Sequence, residues 1–168
     1  MTKQESEGIM KILFVCTGNT CRSPMSAALA NRAFGEKYAV LSAGIDACEG
    51  EPASPQAIQV MQKRGIDLSG HKSRRLTLPM LAEADVVVTM TTGQQELVLR
   101  LAPEFRGKVF LLGQLAGAGD AANVADPWGG CVTSYEECAA EIEGFVDKMR
   151  ARFGIADIGS SDELGTSE

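Results

Sequence analysis

The feature that most constrains this chain is a short polar stretch, residues 16–24 (CTGNTCRSP), between an apolar run and a helix-forming segment. The apolar run, Lys11 to Val15, is typical of a buried parallel strand, and the segment after the polar stretch, Met25 to Ala30, favours a helix. A strand, a short loop and a helix start in this order make an anion site, because the loop amides and the positive end of the helix converge on one point. We therefore predict that residues 16–24 form a phosphate-binding loop after the first strand.

This loop carries a cysteine at its first position and an arginine six residues later. Cys16 is expected at the floor of the ring of amides, a place that favours the thiolate. Arg22 offers a planar pair of donors that fits phosphoryl oxygens, and Ser23 offers the thiolate a hydroxyl hydrogen bond. Gly18 and Asn19 are residue types that tolerate the positive φ such a loop requires. A thiolate facing a phosphoryl group predicts catalysis through a phosphocysteine.

The string CTGNTCRSP resembles the phosphate loop of the low-molecular-weight protein tyrosine phosphatase family. The resemblance implies a cysteine-dependent phosphatase that acts on a phosphorylated protein, with Cys16 and Arg22 as catalytic residues. It also implies that the phosphoryl group is bound by Thr17, Gly18, Asn19, Thr20, Cys21, Arg22 and Ser23. The alternative, a buried structural cysteine beside a surface arginine, does not explain the strand–loop–helix context.

Two further short elements match the family. Ser42-Ala43-Gly44 corresponds to its Ser-Ala-Gly, and His71 belongs to an H-x-S element. We expect structural roles for Ser42 and Gly44, which turn the chain. We expect the same for His71, because a thiolate nucleophile needs no base to activate it.

Alternating strand and helix patterns predict an α/β fold with a single domain. Strands are predicted at residues 11–15, 39–42, 85–90 and 108–112, forming a central four-stranded parallel sheet flanked by helices. Helices are predicted near residues 23–34, 54–65, 76–84, 91–101 and 134–153, with a flexible loop at 113–125. The domain is expected to span residues 10–154, between a disordered extension at 1–9 and a disordered acidic tail at 155–168.

Composition limits the possible partners and cofactors. With 168 residues, 45% of them hydrophobic, the chain can build one sizeable core. The net charge of −6 argues against affinity for nucleic acid or an anionic membrane, and no apolar run is long enough to span a bilayer. One histidine and five irregularly spaced cysteines predict no metal site and no cofactor. Because a thiolate nucleophile needs a reducing compartment, we expect a cytoplasmic protein. We also expect a monomer.

The second chemical element is Asp126, followed by Pro127 and Trp128. One carboxyl group can protonate the leaving group and later take a proton from water. The arrangement resembles the family's general-acid loop, although Gly129 stands where tyrosine-specific members carry a second aromatic residue. We expect Asp126 to be catalytic, a simple Asp-Pro turn being the alternative. For Trp128, stacking on the substrate is preferred over packing in the core.

The identity of the phosphorylated residue depends on Thr20. Members that act on phosphotyrosine commonly carry a bulky aliphatic residue there, whereas members resembling bacterial protein arginine phosphatases carry threonine. A planar cationic guanidinium favours polar contacts, which Thr20 and Asp126 can supply. We therefore expect phosphoarginine as the substrate, with Thr20 and Trp128 as specificity residues; the alternative is that Thr20 only packs and that the substrate is phosphotyrosine.

Cys21 is close enough in sequence to Cys16 for a disulfide between them. Family members with this second cysteine use it to shield the nucleophile from over-oxidation, so the resemblance implies that Cys21 is a redox partner. Cys48, Cys131 and Cys138 are expected to be bystanders.

Three other functions compete with this hypothesis. A low-molecular-weight tyrosine phosphatase linked to exopolysaccharide regulation is the main alternative. An arsenate reductase needs relay cysteines in the middle of the chain, and residues 67–125 contain none. A non-catalytic phospho-residue binding module is disfavoured because Cys16, Arg22 and Asp126 are all present.

Overall fold

The computed structural model describes residues 8–153. The predicted disorder of residues 1–7 and of the tail at 155–168 lies outside the described residues. The strands are β1 (Met10–Cys16), β2 (Tyr38–Gly44), β3 (Val86–Thr89) and β4 (Val109–Leu111). The helices are α1 (Arg22–Phe34), α2 (Pro55–Gln62), α3 (Leu78–Glu83), α4 (Thr92–Leu101), α5 (Leu112–Leu115) and α6 (Val132–Arg152), and short 3-10 turns span Gly35–Lys37 and Pro103–Lys108.

The four strands form one parallel sheet in the order β2-β1-β3-β4. The predicted α/β architecture, a central four-stranded parallel sheet flanked by helices, is thereby confirmed. Side chains of β1 alternate between two cores: Ile12 and Phe14 face the helices α1, α2 and α6, and Leu13 and Val15 face α3 and α4. Burial on both faces explains why β1 is a continuous apolar run. Cys16 thus ends the strand at the carboxyl edge of the sheet, where open α/β sheets bind ligands.

The long helix α6 carries the largest share of the contacts with α1 and α2. Its buried face is formed by Tyr135, Cys138, Ala139, Ile142, Val146 and Met149. These positions repeat with helical spacing, as the sequence predicts. The helix begins at Val132, two residues before the predicted start, so that its first turn lies beside residues 126–130.

Two local predictions are wrong in part. The stretch predicted as a flexible loop, 113–125, begins inside helix α5, and Ala122 packs so closely over Gly113 that no side chain fits there. The leucines of α4, Leu97, Leu99 and Leu101, are predicted from the sequence to supply apolar contacts. Leu99 packs half-buried against the core, but Leu97 and Leu101 are 47% and 63% exposed, and the buried positions of α4 are Gln94 and Val98. Within residues 8–153, no helix combines the length and the apolar character that a membrane span needs.

Candidate active site

Cys16 lies at the junction of β1 and the loop that precedes α1. It is 3% exposed, and its Sγ lies 3.3 Å from the backbone nitrogen of Asn19, which donates to it. The Ser23 hydroxyl lies 2.9 Å from the same sulfur. Ser23 Oγ accepts from the Asn19 side-chain amide at 2.9 Å, and its proton has two acceptors in reach, Cys16 Sγ and, at the longer distance of 3.4 Å, the Ala43 carbonyl. These donors, together with the positive end of α1, suit a negatively charged sulfur.

Asn19 determines the shape of the loop. Its φ is 57°, and it is the one non-glycine residue with positive φ within residues 8–153. Its buried side-chain amide donates to Ser42 Oγ at 3.0 Å as well as to Ser23, and its oxygen accepts from the backbone nitrogen of Arg74 at 2.9 Å. Gly18, also expected at a position that needs positive φ, does not adopt it. The turn therefore depends on an asparagine held by three side-chain hydrogen bonds.

His71 supports this turn from outside the pocket. Its Nε2 lies 2.7 Å from the carbonyl oxygen of Asn19, so the ring donates to the loop backbone. Burial lowers the pKa of His71 below its ordinary value, the positive charge of Arg74 lowers it further, and the bond to the Asn19 carbonyl opposes both effects. A neutral ring protonated on Nε2 satisfies this contact, in keeping with the structural role expected for His71.

Gly44 is the point of closest approach between the loop and the sheet. It pairs with Cys16 across β1 and β2. A Cβ atom on Gly44 would lie 2.7 Å from the carbonyl oxygen of Thr17 and 2.9 Å from the backbone nitrogen of Asn19. Both are backbone atoms that cannot move without changing the loop, so only glycine fits here.

Arg22 connects the loop with the segment that carries Asp126. The Arg22 side chain is buried, and its Nη1 donates to the carbonyl of Val124 at 3.0 Å. Its Nη2 lies 3.3 Å from Asp126 Oδ2, and the Asp126 side chain is 55% exposed. Val124 is itself fixed by a backbone bond to Met90 at the end of β3. Because a guanidinium has five N–H donors, Arg22 keeps donors that can bind an anion in the pocket.

The pocket above Cys16 encloses about 280 Å³ and is lined by residues 16–22, Asp126 and Trp128. The structure therefore brings together the predicted nucleophile, arginine and carboxylate, and places Thr20 and Trp128 in the wall. Trp128 is 75% exposed, which excludes the alternative that it packs in the core. Within residues 8–153, no group of three His, Cys, Asp or Glu side chains is arranged to hold a metal ion.

Cys21 is a buried residue of the phosphate loop and lines the pocket. All five cysteines are free thiols, and the Sγ of Cys21 lies 3.2 Å from the hydroxyl of Tyr135 and 3.4 Å from Ser54 Oγ. Burial, first of all, raises the pKa of Tyr135 to about 12, so this hydroxyl keeps its proton. The predicted disulfide between Cys16 and Cys21 stays a prediction, and Cys21 must leave these two partners to form it.

Two residues that contact the site were missed by the sequence reasoning. Tyr135, whose hydroxyl contacts Cys21, lies at an apolar position of the helical pattern at 134–153, and that pattern gives no sign of the contact. Gln94 donates from Nε2 to Thr17 Oγ1 at 3.1 Å. The signal for Gln94 was the pattern Thr91-x-x-Gln94, a capping box that places the glutamine side chain back at the start of α4.

Comparison with known proteins identifies the chemistry such a pocket performs elsewhere. Residues 11–155 match the family described as low molecular weight phosphotyrosine protein phosphatase. A protein-arginine-phosphatase from Geobacillus stearothermophilus is 39% identical over 83% of this chain and 93% of its own length. A probable low molecular weight protein-tyrosine-phosphatase, EpsP, from Ralstonia nicotianae is 38% identical over 83% of this chain and 92% of its own. A solved YwlE arginine phosphatase, a cysteine-to-serine variant with a phosphorylated active-site serine, is similar with a TM-score of 0.83 at 31% identity, over 92% of this chain and 98% of that one.

Replacement of Gly44 by alanine should disrupt the loop. The added Cβ must push back the carbonyl of Thr17 or the amide of Asn19, and overpacking of this kind costs about 1–3 kcal/mol of unfolding free energy. We expect Gly44→Ala to lose most phosphatase activity and to lower the urea midpoint. Gly107→Ala is the matched control, since no atom lies within 4 Å of its added Cβ. Wild-type kcat/KM in Gly44→Ala would contradict the packing argument.

The lowered pKa of His71 should make stability depend on pH. The unfolded chain binds this proton near the ordinary pKa of 6.5, above the pKa of the folded protein. The contribution of neutral His71 to the free energy of unfolding is therefore complete above about pH 6.5. It is lost as the pH falls through that value towards the folded-state pKa. We expect the urea unfolding free energy to fall over this range, and to fall less in His71→Gln. Since the sequence has one histidine, equal slopes in both proteins would contradict this assignment.

Proposed function

This chain belongs to the low molecular weight phosphotyrosine protein phosphatase family, and we propose that within this family it hydrolyses phosphoarginine in proteins. It is a cysteine-dependent protein phosphatase. The observation that carries the substrate proposal is a polar residue, Thr20, in the wall of a pocket that also contains the carboxylate of Asp126.

In the first proposed step, the Cys16 thiolate attacks the phosphorus atom. The S–P bond forms as the P–N bond breaks, and the electron pair of that bond goes to the guanidino nitrogen, which takes a proton from Asp126. Arg22 and the loop amides neutralise the charge of the phosphoryl oxygens. Arg22 Nη2 lies 3.3 Å from Asp126 Oδ2, so both groups can reach the same bound substrate, and Asp126 can hold its proton once the phosphoryl group takes its place as the partner of Arg22.

In the second proposed step, water attacks the phosphocysteine. Asp126, now ionised, takes a proton from the water as the S–P bond breaks, and the electron pair returns to the Cys16 sulfur. Inorganic phosphate leaves and Asp126 is protonated for the next cycle. The Ser23 hydroxyl, 2.9 Å from the sulfur, stabilises the thiolate before the first step and after the second.

The choice of phosphoarginine depends on the wall of the pocket. Thr20 offers a hydroxyl to the guanidino N–H groups, and Asp126 can pair with their charge. The exposed indole of Trp128 offers a face on which a planar guanidinium stacks. Gly129 and Gly130 follow it, so no second aromatic side chain closes a slot for a phenyl ring. Identities of 39% to an arginine phosphatase and 38% to a probable tyrosine phosphatase do not decide between the substrates.

Phosphotyrosine is the second candidate. The observation in its favour is the aromatic residue Trp128 at the pocket, which can also pack against a phenyl ring.

We extend the proposal to regulation and location. A peroxide that oxidises Cys16 to a sulfenic acid would be followed by attack of the Cys21 thiol, which forms the disulfide and releases water. Such chemistry requires a compartment that returns the thiols to the reduced state, which supports a cytoplasmic location. All the residues named come from one chain, so a monomer is sufficient.

The substrate proposal predicts that the wild type has a higher kcat/KM for phosphoarginine peptides than for phosphotyrosine peptides of the same sequence. Thr20→Ile should lower the phosphoarginine value at least about tenfold, because it removes a hydroxyl and adds bulk at the wall. Thr20→Ser, which keeps the hydroxyl, should keep the preference. A wild-type preference for phosphotyrosine would overturn the substrate proposal and leave the cysteine mechanism in place.

A further inference from the structure

A buried glutamine from α4 contacts the phosphate loop, and nothing in the proposed mechanism uses it. Gln94 is 5% exposed, and its Nε2 lies 3.1 Å from Thr17 Oγ1. Thr17 directly follows Cys16, is exposed, and lines the pocket. A buried side-chain amide is costly unless its polar atoms are satisfied, so its partners define its orientation.

The direction of the hydrogen bond between Gln94 and Thr17 follows from the other contacts of the amide. Gln94 Oε1 accepts from the backbone nitrogens of Met90 and Thr91, at 3.0 and 3.1 Å. The atom that faces two N–H donors must be the oxygen, so the atom that faces Thr17 is the NH₂ group. Thr17 Oγ1 therefore accepts from Gln94, and its own proton points elsewhere.

The Thr17 hydroxyl proton has no acceptor among the described residues, and the side chain lines the pocket. We propose that the Thr17 hydroxyl donates to a phosphoryl oxygen of the substrate, and that Gln94 is the positioning residue that directs this proton into the pocket. This side-chain donor adds to the loop amides and Arg22. The inference rests on the proposed phosphoryl transfer at Cys16, not on the identity of the leaving group.

The phosphoryl group is the better partner for chemical reasons. A guanidinium carries N–H donors and no acceptor, whereas the phosphoryl oxygens are strong acceptors that carry the negative charge. A hydroxyl oriented as a donor therefore matches the phosphoryl group of either phosphoarginine or an aryl phosphate. The contact should affect both substrates equally.

The same junction also supports the segment before Asp126. Thr92 donates from its backbone nitrogen to Asn123 Oδ1 at 2.9 Å, and Met90 accepts from the Val124 nitrogen at 2.9 Å. The turn between β3 and α4 thus contacts both loops that form the pocket. Gln94 provides its link to the phosphate loop.

The test is the inhibition constant of inorganic phosphate, which measures the phosphoryl contact without any leaving group. Thr17→Val keeps the shape of the side chain and removes the hydroxyl. We expect it to raise this constant about tenfold, the effect of one hydrogen bond to a charged group. It should lower kcat/KM for phosphoarginine peptides and for nitrophenyl phosphate by the same factor. Because Thr17→Val leaves the buried Gln94 NH₂ group without its acceptor, Tm should fall by a few degrees, so the constants are measured well below the Tm of either protein.

Gln94→Glu tests the orientation. A carboxylate still accepts from Met90 and Thr91, but the oxygen facing Thr17 now accepts the hydroxyl proton and turns it away from the pocket. We expect the inhibition constant to rise as in Thr17→Val. Gln95→Glu is the matched control: it adds the same charge at the neighbouring residue, whose Nε2 contacts the Val109 carbonyl instead.

The double variant completes the cycle. If Gln94 acts through Thr17, combining Thr17→Val with Gln94→Glu should raise the inhibition constant no further than the larger single effect. Full additivity would overturn the positioning role, because the glutamate would then act by its charge alone. An unchanged constant in Thr17→Val, or a loss confined to one leaving group, would overturn the phosphoryl contact. These outcomes do not depend on whether phosphoarginine is the preferred substrate.

Discussion

The left-handed backbone at Asn19 is the constraint on which the rest of the site depends. A non-glycine residue in this conformation costs on the order of 1–3 kcal/mol. Asn19 makes three side-chain hydrogen bonds, and its carbonyl accepts from His71, each of these bonds contributing roughly 1 kcal/mol. Together the four bonds contribute about 4 kcal/mol, more than the left-handed conformation costs, so the surrounding residues hold the turn in place. This conformation directs the backbone N–H of Asn19 at the sulfur of Cys16.

Arg22 joins two distant parts of the chain at the pocket. It starts α1, yet its side chain contacts Val124 and Asp126, more than one hundred residues later. The arginine is buried, and the carbonyl and carboxylate that it contacts compensate for the loss of water around its charge. The arginine that we propose binds the phosphoryl oxygens therefore also contacts the carboxylate that we propose exchanges protons. We infer that Arg22 couples the position of the phosphate loop to that of the segment around Asp126.

Much of this organisation could be predicted from the sequence, because its signals are local. The strand, loop and helix of residues 11–30 are adjacent, and the residue types in the loop predict an anion site from elementary electrostatics. Asp126 was identified through the family resemblance, since nothing in its own surroundings distinguishes it from an ordinary Asp-Pro turn. The burial of β1, β3 and β4 on both faces of the sheet is predicted by their apolar runs, which leave no polar face.

The contacts that escaped prediction are long-range. The bond between Gln94 and Thr17 spans 77 residues, and that between Tyr135 and Cys21 spans 114. Each depends on how a helix is rotated when it packs on the sheet, and helical periodicity indicates only which face is apolar. For α4 the apolar face is predicted only in part, because Leu99 packs against the core whereas Leu97 and Leu101 are exposed and polar Gln94 is buried.

Passage of the phosphoryl group through Cys16 is the step on which the proposed function depends. The most direct measurement is a rapid-quench reaction of the Asp126→Asn variant with nitrophenyl phosphate, followed by mass spectrometry of the intact and digested protein. This leaving group needs little protonation, so the first step should proceed, whereas hydrolysis lacks its base. We expect a phosphorylated enzyme to accumulate, with the phosphoryl group on Cys16. A phosphoryl group on another residue, or continued turnover with no phosphoenzyme, would contradict it.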